Sequence, residues 1–349
     1  MDQTQGFVDQ SLATCYNYIH TGRCNKAIQM LSVVKKIDSG NPMILRLLDL
    51  IHAPCRSEEE PTQVIDFFGQ YWEGQSLDGK SIEIFCDQGM GDTINMLRYL
   101  DVMQERWDCK IVLNNYAYYN DFKELLEQVP AIHKFTNEHI KCDYNTNILS
   151  LPALLNGLKH AVYYPVHFLN LLDQSDIPTQ SVLVPMKEVN HTLGKPSVGV
   201  SWKSNSENVL SQKKSVPDVQ HEDFLDWCDD SGVYVYGIYP DAMWHPLKNL
   251  SDTASVIAEM DVVISVDTVV LHLAGAMGKP TFGLLPFEAD PRWSKCGNSE
   301  VIYDFGETKK YETSIWYPSV RMFRQEKEGD WSHPLNRIKE ELASLCEMK

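Results

Sequence analysis

From about Lys80 onward the chain alternates short apolar strands with longer helices, in two separate runs, and this rhythm constrains the fold more than any other feature. In the first run SIEIFC reads as a strand, QGMGD as a turn and TINMLRYLDVMQERW as an amphipathic helix. KIVLN, AIHKF and NTNILS read as further strands, with NDFKELLEQV and LPALLNGL as helices between and after them. The polar, Gly- and Pro-punctuated HTLGKP (191–196) reads as a linker. A second run then follows: PSVGVSW, GVYVYGI, DVVISV and PTFGLL as strands, HEDFLDWCDD, TASVIAEM and TVVLHLAGAM as helices. The tail SHPLNRIKEELASLCEMK reads as a charged amphipathic helix. Two such runs predict two Rossmann-like α/β domains, at 71–190 and 191–349.

Residues 1–70 differ in pattern. SLATCYNYIHTGRCNKAIQMLSVVKKI carries apolar residues at helical spacing, with a break at His20–Cys24, and resembles one tetratricopeptide-like helical hairpin before a charged linker. The N-terminus lacks a basic region leading into an apolar stretch, and no run approaches the ~20 apolar residues of a membrane span, so a cytoplasmic protein is expected. Nine cysteines stand singly with no CxxC pair, which points to buried thiols rather than disulfides or zinc. A net charge of −17 disfavours an extended nucleic-acid surface, because such binding rests on many Lys/Arg–phosphate contacts. A local basic pocket for one diphosphate is still compatible with it.

Three motifs sit at predicted strand ends. In the first, Gln88, Gly89, Gly91 and Asp92 follow a strand and open a helix. The glycines permit a tight turn and close approach to a ligand, and Asp92 is either a general base toward an acceptor hydroxyl or a helix cap. In the second, Ser265, Asp267, Thr268 and His272 span the end of an apolar strand and the start of a small-residue helix. Such a helix start offers N–H groups and a positive dipole end to a diphosphate. His272 lies one turn deeper on the Thr268 face and is either a site residue or a core histidine. In the third, Trp202 and Lys203 end the first strand of the second run, where a lysine can neutralise a departing diphosphate in place of a metal. Lys213 and Lys214 read as loop residues before Ser215. No acidic cluster suited to a divalent ion stands at a strand end, so neither cofactor nor metal is expected.

The three motifs, in this order, resemble the glycosyltransferase family typified by the lipopolysaccharide heptosyltransferases, and more closely its tetratricopeptide-associated branch. The runs YWEGQSLDGKSIEIFCDQGMGDTINMLRYL, DTASVIAEMDVVISVDTVVLHLAGAMGKPTFGLLPFEADPRW and IWYPSVRMFRQEKEGDW carry the likeness, over roughly residues 71 to 345. The resemblance implies an α/β GT-B fold, a nucleotide-sugar donor in the inter-domain cleft, and inverting, metal-independent sugar transfer. By the same resemblance Asp92 matches the acceptor-side carboxylate, Thr268 the diphosphate site, and Asp267 and His272 the donor-site motif. Trp202 and Lys203 match a phosphate-contacting strand end. Where the family often has Arg-Ser, this chain has Lys214-Ser215, which keeps the charge and loses the bidentate fork. Phe287, Glu288 and Asp290 are donor-site candidates by position, while Trp316, Tyr317 and Arg321 match the C-terminal signature, with packing of the returning segment as their expected role.

The acceptor is left open among a glycan, a protein side chain and a modified nucleobase. Two other functions share the fold: a catalytically silent binding or scaffold protein, and a nucleotide-sugar epimerase.

Overall fold

The computed structural model describes residues 70–86, 89–115, 117–156, 195–204, 209–239, 247–293, 302–304 and 310–348, with Cys15, Leu31 and Val34. Those three are buried helical positions; the rest of the expected N-terminal hairpin and linker, and the expected 191–196 linker up to Gly194, lie outside the described residues.

Strands β1 (Gln70–Tyr71), β2 (Ser81–Phe85), β3 (Lys110–Asn114), β4 (Lys134–Thr136) and β5 (Tyr144–Asn147) form a first parallel sheet in the order β1-β5-β2-β3-β4. Strands β6 (Ser197–Ser201), β7 (Tyr234–Gly237), β8 (Val262–Val266) and β9 (Thr281–Leu285) belong to a second. An antiparallel ribbon of β10 (Ile302–Asp304) and β11 (Lys310–Glu312) follows. The returning chain then adds β12 (Val320–Arg324), giving a parallel order β12-β9-β8-β6-β7. The central strands β6, β8 and β9 are buried along their whole length, as parallel strands covered on both faces must be.

In each sheet the strand order reverses beside the first long strand: β2 lies between β3 and β5, and β6 between β7 and β8. Ligand crevices of open α/β sheets form at the carboxyl ends of strands at such points. The three motifs follow β2, β6 and β8, so the topology brings each to a switch point.

Helices connect these strands. They are α1 (Met90–Met96), α2 (Arg98–Arg106), α3 (Tyr119–Leu126), α4 (Leu151–Leu155), α5 (Val209–Lys214), α6 (Asp218–Asp230), α7 (Leu250–Ala258), α8 (Val269–Ala276) and α9 (Ser332–Met348). The helix expected after the first motif is divided at Leu97. There the Leu100 N–H reaches the Leu97 carbonyl, while Arg98 Nε donates to the Asn95 carbonyl, the acceptor a continuous helix would give to Tyr99. Lys213 and Lys214, expected in a loop, end α5. The strand expected over NTNILS stops at Asn147, whose side chain accepts from the Leu149 N–H and turns the chain into a 3-10 turn at Ile148–Ser150.

One apolar cluster runs from the inner face of the first sheet (Ile82, Ile84, Ile111, Leu113) through α1 and α8 to Trp293, Trp316 and Tyr317. A second fills the far face of the second sheet against α6 and α9, with Phe224, Phe323, Trp331 and Leu342. Two glycines allow close approaches within the first cluster. A Cβ on Gly91 would lie 2.5 Å from His272 Cδ2, and one on Gly275 would lie 2.6 Å from Tyr317 Cγ. Arg98 reinforces the same seam: its Nη1 donates to the Trp316 carbonyl at 2.6 Å, and its guanidinium lies 4.9 Å from the Tyr317 ring centroid. Burial pushes the Cys109 and Cys142 thiols up to about 11. No helix among the described residues is long and apolar enough to cross a membrane.

Candidate active site

A cavity of about 500 Å³ opens between the two sheets, within the ordinary range for small-ligand sites. Its first wall is the β2–α1 turn, with Gly89, Met90, Gly91 and Asp92. The opposite wall comes from the ends of β6 and β8: Ser201, Lys203 and Ser204, then Asp267, Thr268, Val269, Val270 and His272. Lys214, Asp290 and Arg292 complete the polar end, while Ile238, Tyr239, Leu247 and Leu250 make a more apolar one.

Gly89 is the N-cap of α1, so Asp92 sits in the first helical turn without capping it, and its side chain makes no cap hydrogen bond. Its carboxylate instead crosses the cavity to Arg292, with Oδ1 2.5 Å from Nη1. Arg292 also holds Asp290, through Nε at 2.9 Å and Nη2 at 3.4 Å. Burial would lower the Arg292 pKa, but Asp92 and Asp290 outweigh it and hold the guanidinium above its usual range.

On the opposite wall, Thr268 is the N-cap of α8 by position and also makes no side-chain cap bond. Its hydroxyl lies 3.2 Å from Ser265 Oγ, and Ser265 donates in turn to the Val266 carbonyl. The first N–H groups of a helix have no intrahelical acceptor, and Thr268, Val269 and Val270 present that helix end to the cavity. Asp267 is buried and doubly held, accepting from Lys214 Nζ at 2.5 Å and from Trp293 Nε1 at 2.9 Å. Lys203 reaches the cavity rim, where it pairs with the exposed Asp218 at 2.6 Å.

His272 is buried with Nδ1 3.0 Å from the Tyr317 hydroxyl and its ring packed on Trp293. Burial first, and the Arg292 charge second, push its pKa well below the ordinary histidine value, so a neutral imidazole faces the cavity. Burial likewise raises the Tyr317 phenol.

The structure thus brings Gly89, Gly91, Asp92, Lys203, Lys214, Asp267, Thr268 and His272 to one cavity. Gln88 lies outside the described residues. Ser265 stands behind the wall, supporting Thr268. Trp202 turns into the far-side core against His221 and Phe224, away from the cavity. Asp290 lines the cavity, whereas Phe287 is exposed and its backbone N–H is held by Gln325. Trp316 and Tyr317 pack as expected of the returning segment, and Arg321 pairs with Glu341 of α9.

Arg292 was not among the residues singled out. Its signal was Asp290-Pro291-Arg292-Trp293, a turn sequence whose residues reach opposite walls of the cavity. Among the described residues no group of three or more His, Cys, Asp or Glu side chains could hold a metal ion.

The chain is similar to several known proteins. Residues 245–315 match the family model for glycosyltransferase family 9 (heptosyltransferase), a segment that includes Asp267, Thr268, His272 and Arg292. The chain is 25% identical to Protein FlbA of Caulobacter vibrioides over 313 residues, covering 77% of this chain and 47% of that protein; it therefore spans about half the length of the curated relative it matches. A glycosyl transferase family 9 structure from Veillonella parvula superposes with a TM-score of 0.50 at 12% identity, covering 79% of this chain and 99% of the other. The ADP-heptose heptosyltransferase II structure of E. coli gives 0.49 at 15% identity, over 77% and 99%. Two parallel α/β sheets facing a cavity are the architecture of GT-B glycosyltransferase structures.

Proposed function

We propose that this cavity, part of whose second-sheet wall is a glycosyltransferase family 9 segment, transfers a sugar from a nucleotide-sugar donor to an acceptor hydroxyl, with inversion and without a metal ion. The observation that carries the reading is that one carboxylate from the first sheet, Asp92, faces a helix N-terminus and two lysines from the second across a single cavity. That is the charge pattern a displacement at an anomeric carbon requires: a proton acceptor on one side and anion stabilisers on the other.

In this account the donor diphosphate lies against Thr268, Val269 and Val270 at the start of α8, with Lys203 and Lys214 as its cations. The acceptor enters beside Gly89 and Gly91. Asp92 takes the hydroxyl proton as the acceptor oxygen bonds the anomeric carbon from the face opposite the diphosphate. The carbon–oxygen bond to phosphate breaks, and its electron pair departs on the nucleoside diphosphate. His272, kept neutral by burial, offers a hydrogen-bonding edge without adding charge. Asp267 holds Lys214 until the phosphate arrives. Membership of the tetratricopeptide-associated branch and a cytosolic location belong to the same proposal.

The test is thermal stabilisation by a panel of ADP, GDP, UDP and their sugar conjugates, with and without EDTA. The reading expects a selective rise for one base, insensitive to EDTA and reduced in Thr268→Ala and Lys214→Ala. An absence of any rise would remove it.

A further inference from the structure

We propose that Arg292 is a positioning residue for Asp92, orienting the base from the opposite wall of the cavity; this rests on the sugar-transfer reading above. The alternative role for a cavity arginine, binding the donor diphosphate, fits poorly. All three guanidinium nitrogens are already engaged by carboxylates: Nη1 by Asp92, Nε and Nη2 by Asp290. One positive charge faces two negative ones, and the net negative charge of that cluster repels a phosphate. Lys203 and Lys214, each paired with a single carboxylate, stand beside the ends of β6 and β8 and are the cations nearer the start of α8.

The turn that carries Arg292 is fastened at several points. Its backbone N–H donates to Asp290 Oδ1 at 3.0 Å, and its carbonyl accepts from Trp316 Nε1 at 3.1 Å. The next residue, Trp293, donates its indole N–H to Asp267, and its carbonyl accepts from Arg324. A guanidinium held this firmly fixes the carboxylate it grips. It takes Oδ1 of Asp92 and leaves Oδ2 facing the Gly89 turn, where a Cβ on Gly89 would stand 3.2 Å from that oxygen. Oδ2 is therefore the atom that meets the acceptor hydroxyl. Arg292 keeps its charge throughout and neither gives nor takes a proton.

The arrangement also links base orientation to the relation between the sheets. Asp92 sits on a helix of the first sheet and Arg292 on a turn after β9 of the second, so the base is oriented only when the two walls stand as observed. The same turn, through Trp293, Asp267 and Lys214, touches the diphosphate side. A bound donor is thus one fixed turn away from an oriented base.

The experiment measures nucleoside-diphosphate release from ADP-, GDP- and UDP-linked hexoses, with water or added glycan as acceptor, for wild type, Arg292→Lys, Arg292→Ala and Arg292→Ala/Asp92→Asn. Stabilisation by the free diphosphates is measured in parallel. Arg292→Lys, which keeps charge and fold but loses the fork, is expected to lose about tenfold or more in kcat, with diphosphate stabilisation and donor KM within about twofold of wild type. Millimolar guanidinium chloride is expected to restore part of the rate to Arg292→Ala and none to the double variant. Unchanged kcat in Arg292→Lys, a loss confined to KM, or equal restoration in the double variant would overturn the assignment. A wild-type protein that neither binds diphosphates nor releases them would instead overturn the transfer reading beneath it.

Discussion

Asp92 Oδ1 and Arg292 Nη1 meet at 2.5 Å across the cavity, joining a helix that follows the first sheet's β2 to a turn that follows the second sheet's β9. This contact lies beside another close approach, of Gly91 to the buried ring of His272. Packing and chemistry therefore meet at one seam, and several consequences can be measured.

Gly91→Ala places a methyl group 2.5 Å from His272 Cδ2. The His272 ring cannot retreat, since Tyr317 holds Nδ1 and Trp293 packs its face. The variant should lose about 1–3 kcal/mol in denaturant unfolding, the usual cost of overpacking a filled core. An unchanged midpoint would show that α1 can slide away from α8.

Tyr317→Phe removes the hydroxyl that pairs with His272 Nδ1 at 3.0 Å and leaves a buried ring nitrogen without it. The expected cost is about 1–3 kcal/mol, read from the same unfolding curves. The double variant Tyr317→Phe/His272→Phe should recover part of that loss if the unmet polar atom is its cause.

The depressed pKa of His272 gives stability a definite pH dependence. The folded protein keeps the imidazole neutral, whereas the unfolded chain takes up a proton near pH ~6.5, the ordinary histidine value. This contribution is complete above that pH and is lost as pH falls below it toward the folded value. Between about pH 7 and about pH 5.5, His272→Gln should lose about 1 kcal/mol less stability than wild type. Parallel profiles would show that His272 titrates in the fold as it does in the unfolded chain.

The two cavity lysines should separate. Lys203 pairs with Asp218 at the exposed rim, so Lys203→Ala should leave the melting temperature unchanged. Lys214→Ala strips a partner from the buried Asp267 and should lower it measurably, with the Trp293 indole as that carboxylate's remaining donor. Both variants should weaken nucleoside-diphosphate stabilisation.

Much of the frame is legible in the sequence because parallel strands covered on both faces read as short apolar runs. KIVLN, DVVISV and PTFGLL stand almost where those runs place them, as β3, β8 and β9. Strand β12 was not legible as a strand: VRMFR sets its two arginines three apart, off the strand period of two, and its place beside β9 depends on a long-range return. The break at Leu97 depends on where the Arg98 side chain goes, which periodicity does not encode. In the site, the residues at strand ends were legible because turn glycines and helix starts mark them. Arg292 was not, since the carboxylate it pairs with, Asp92, lies 200 positions earlier in the chain. Trp202 shows the converse: its strand-end position is as read, but strand alternation turns the ring into the core behind Lys203.

The most direct test of the account is nucleoside-diphosphate release from ADP-, GDP- and UDP-linked hexoses in EDTA, comparing wild type with Asp92→Asn. The account predicts release by wild type with one nucleotide and a loss of about a hundredfold or more in Asp92→Asn, with stabilisation by the matching diphosphate intact. Equal release by both proteins would contradict the role of Asp92 as the base, and neither binding nor release by wild type would contradict sugar transfer at this cavity.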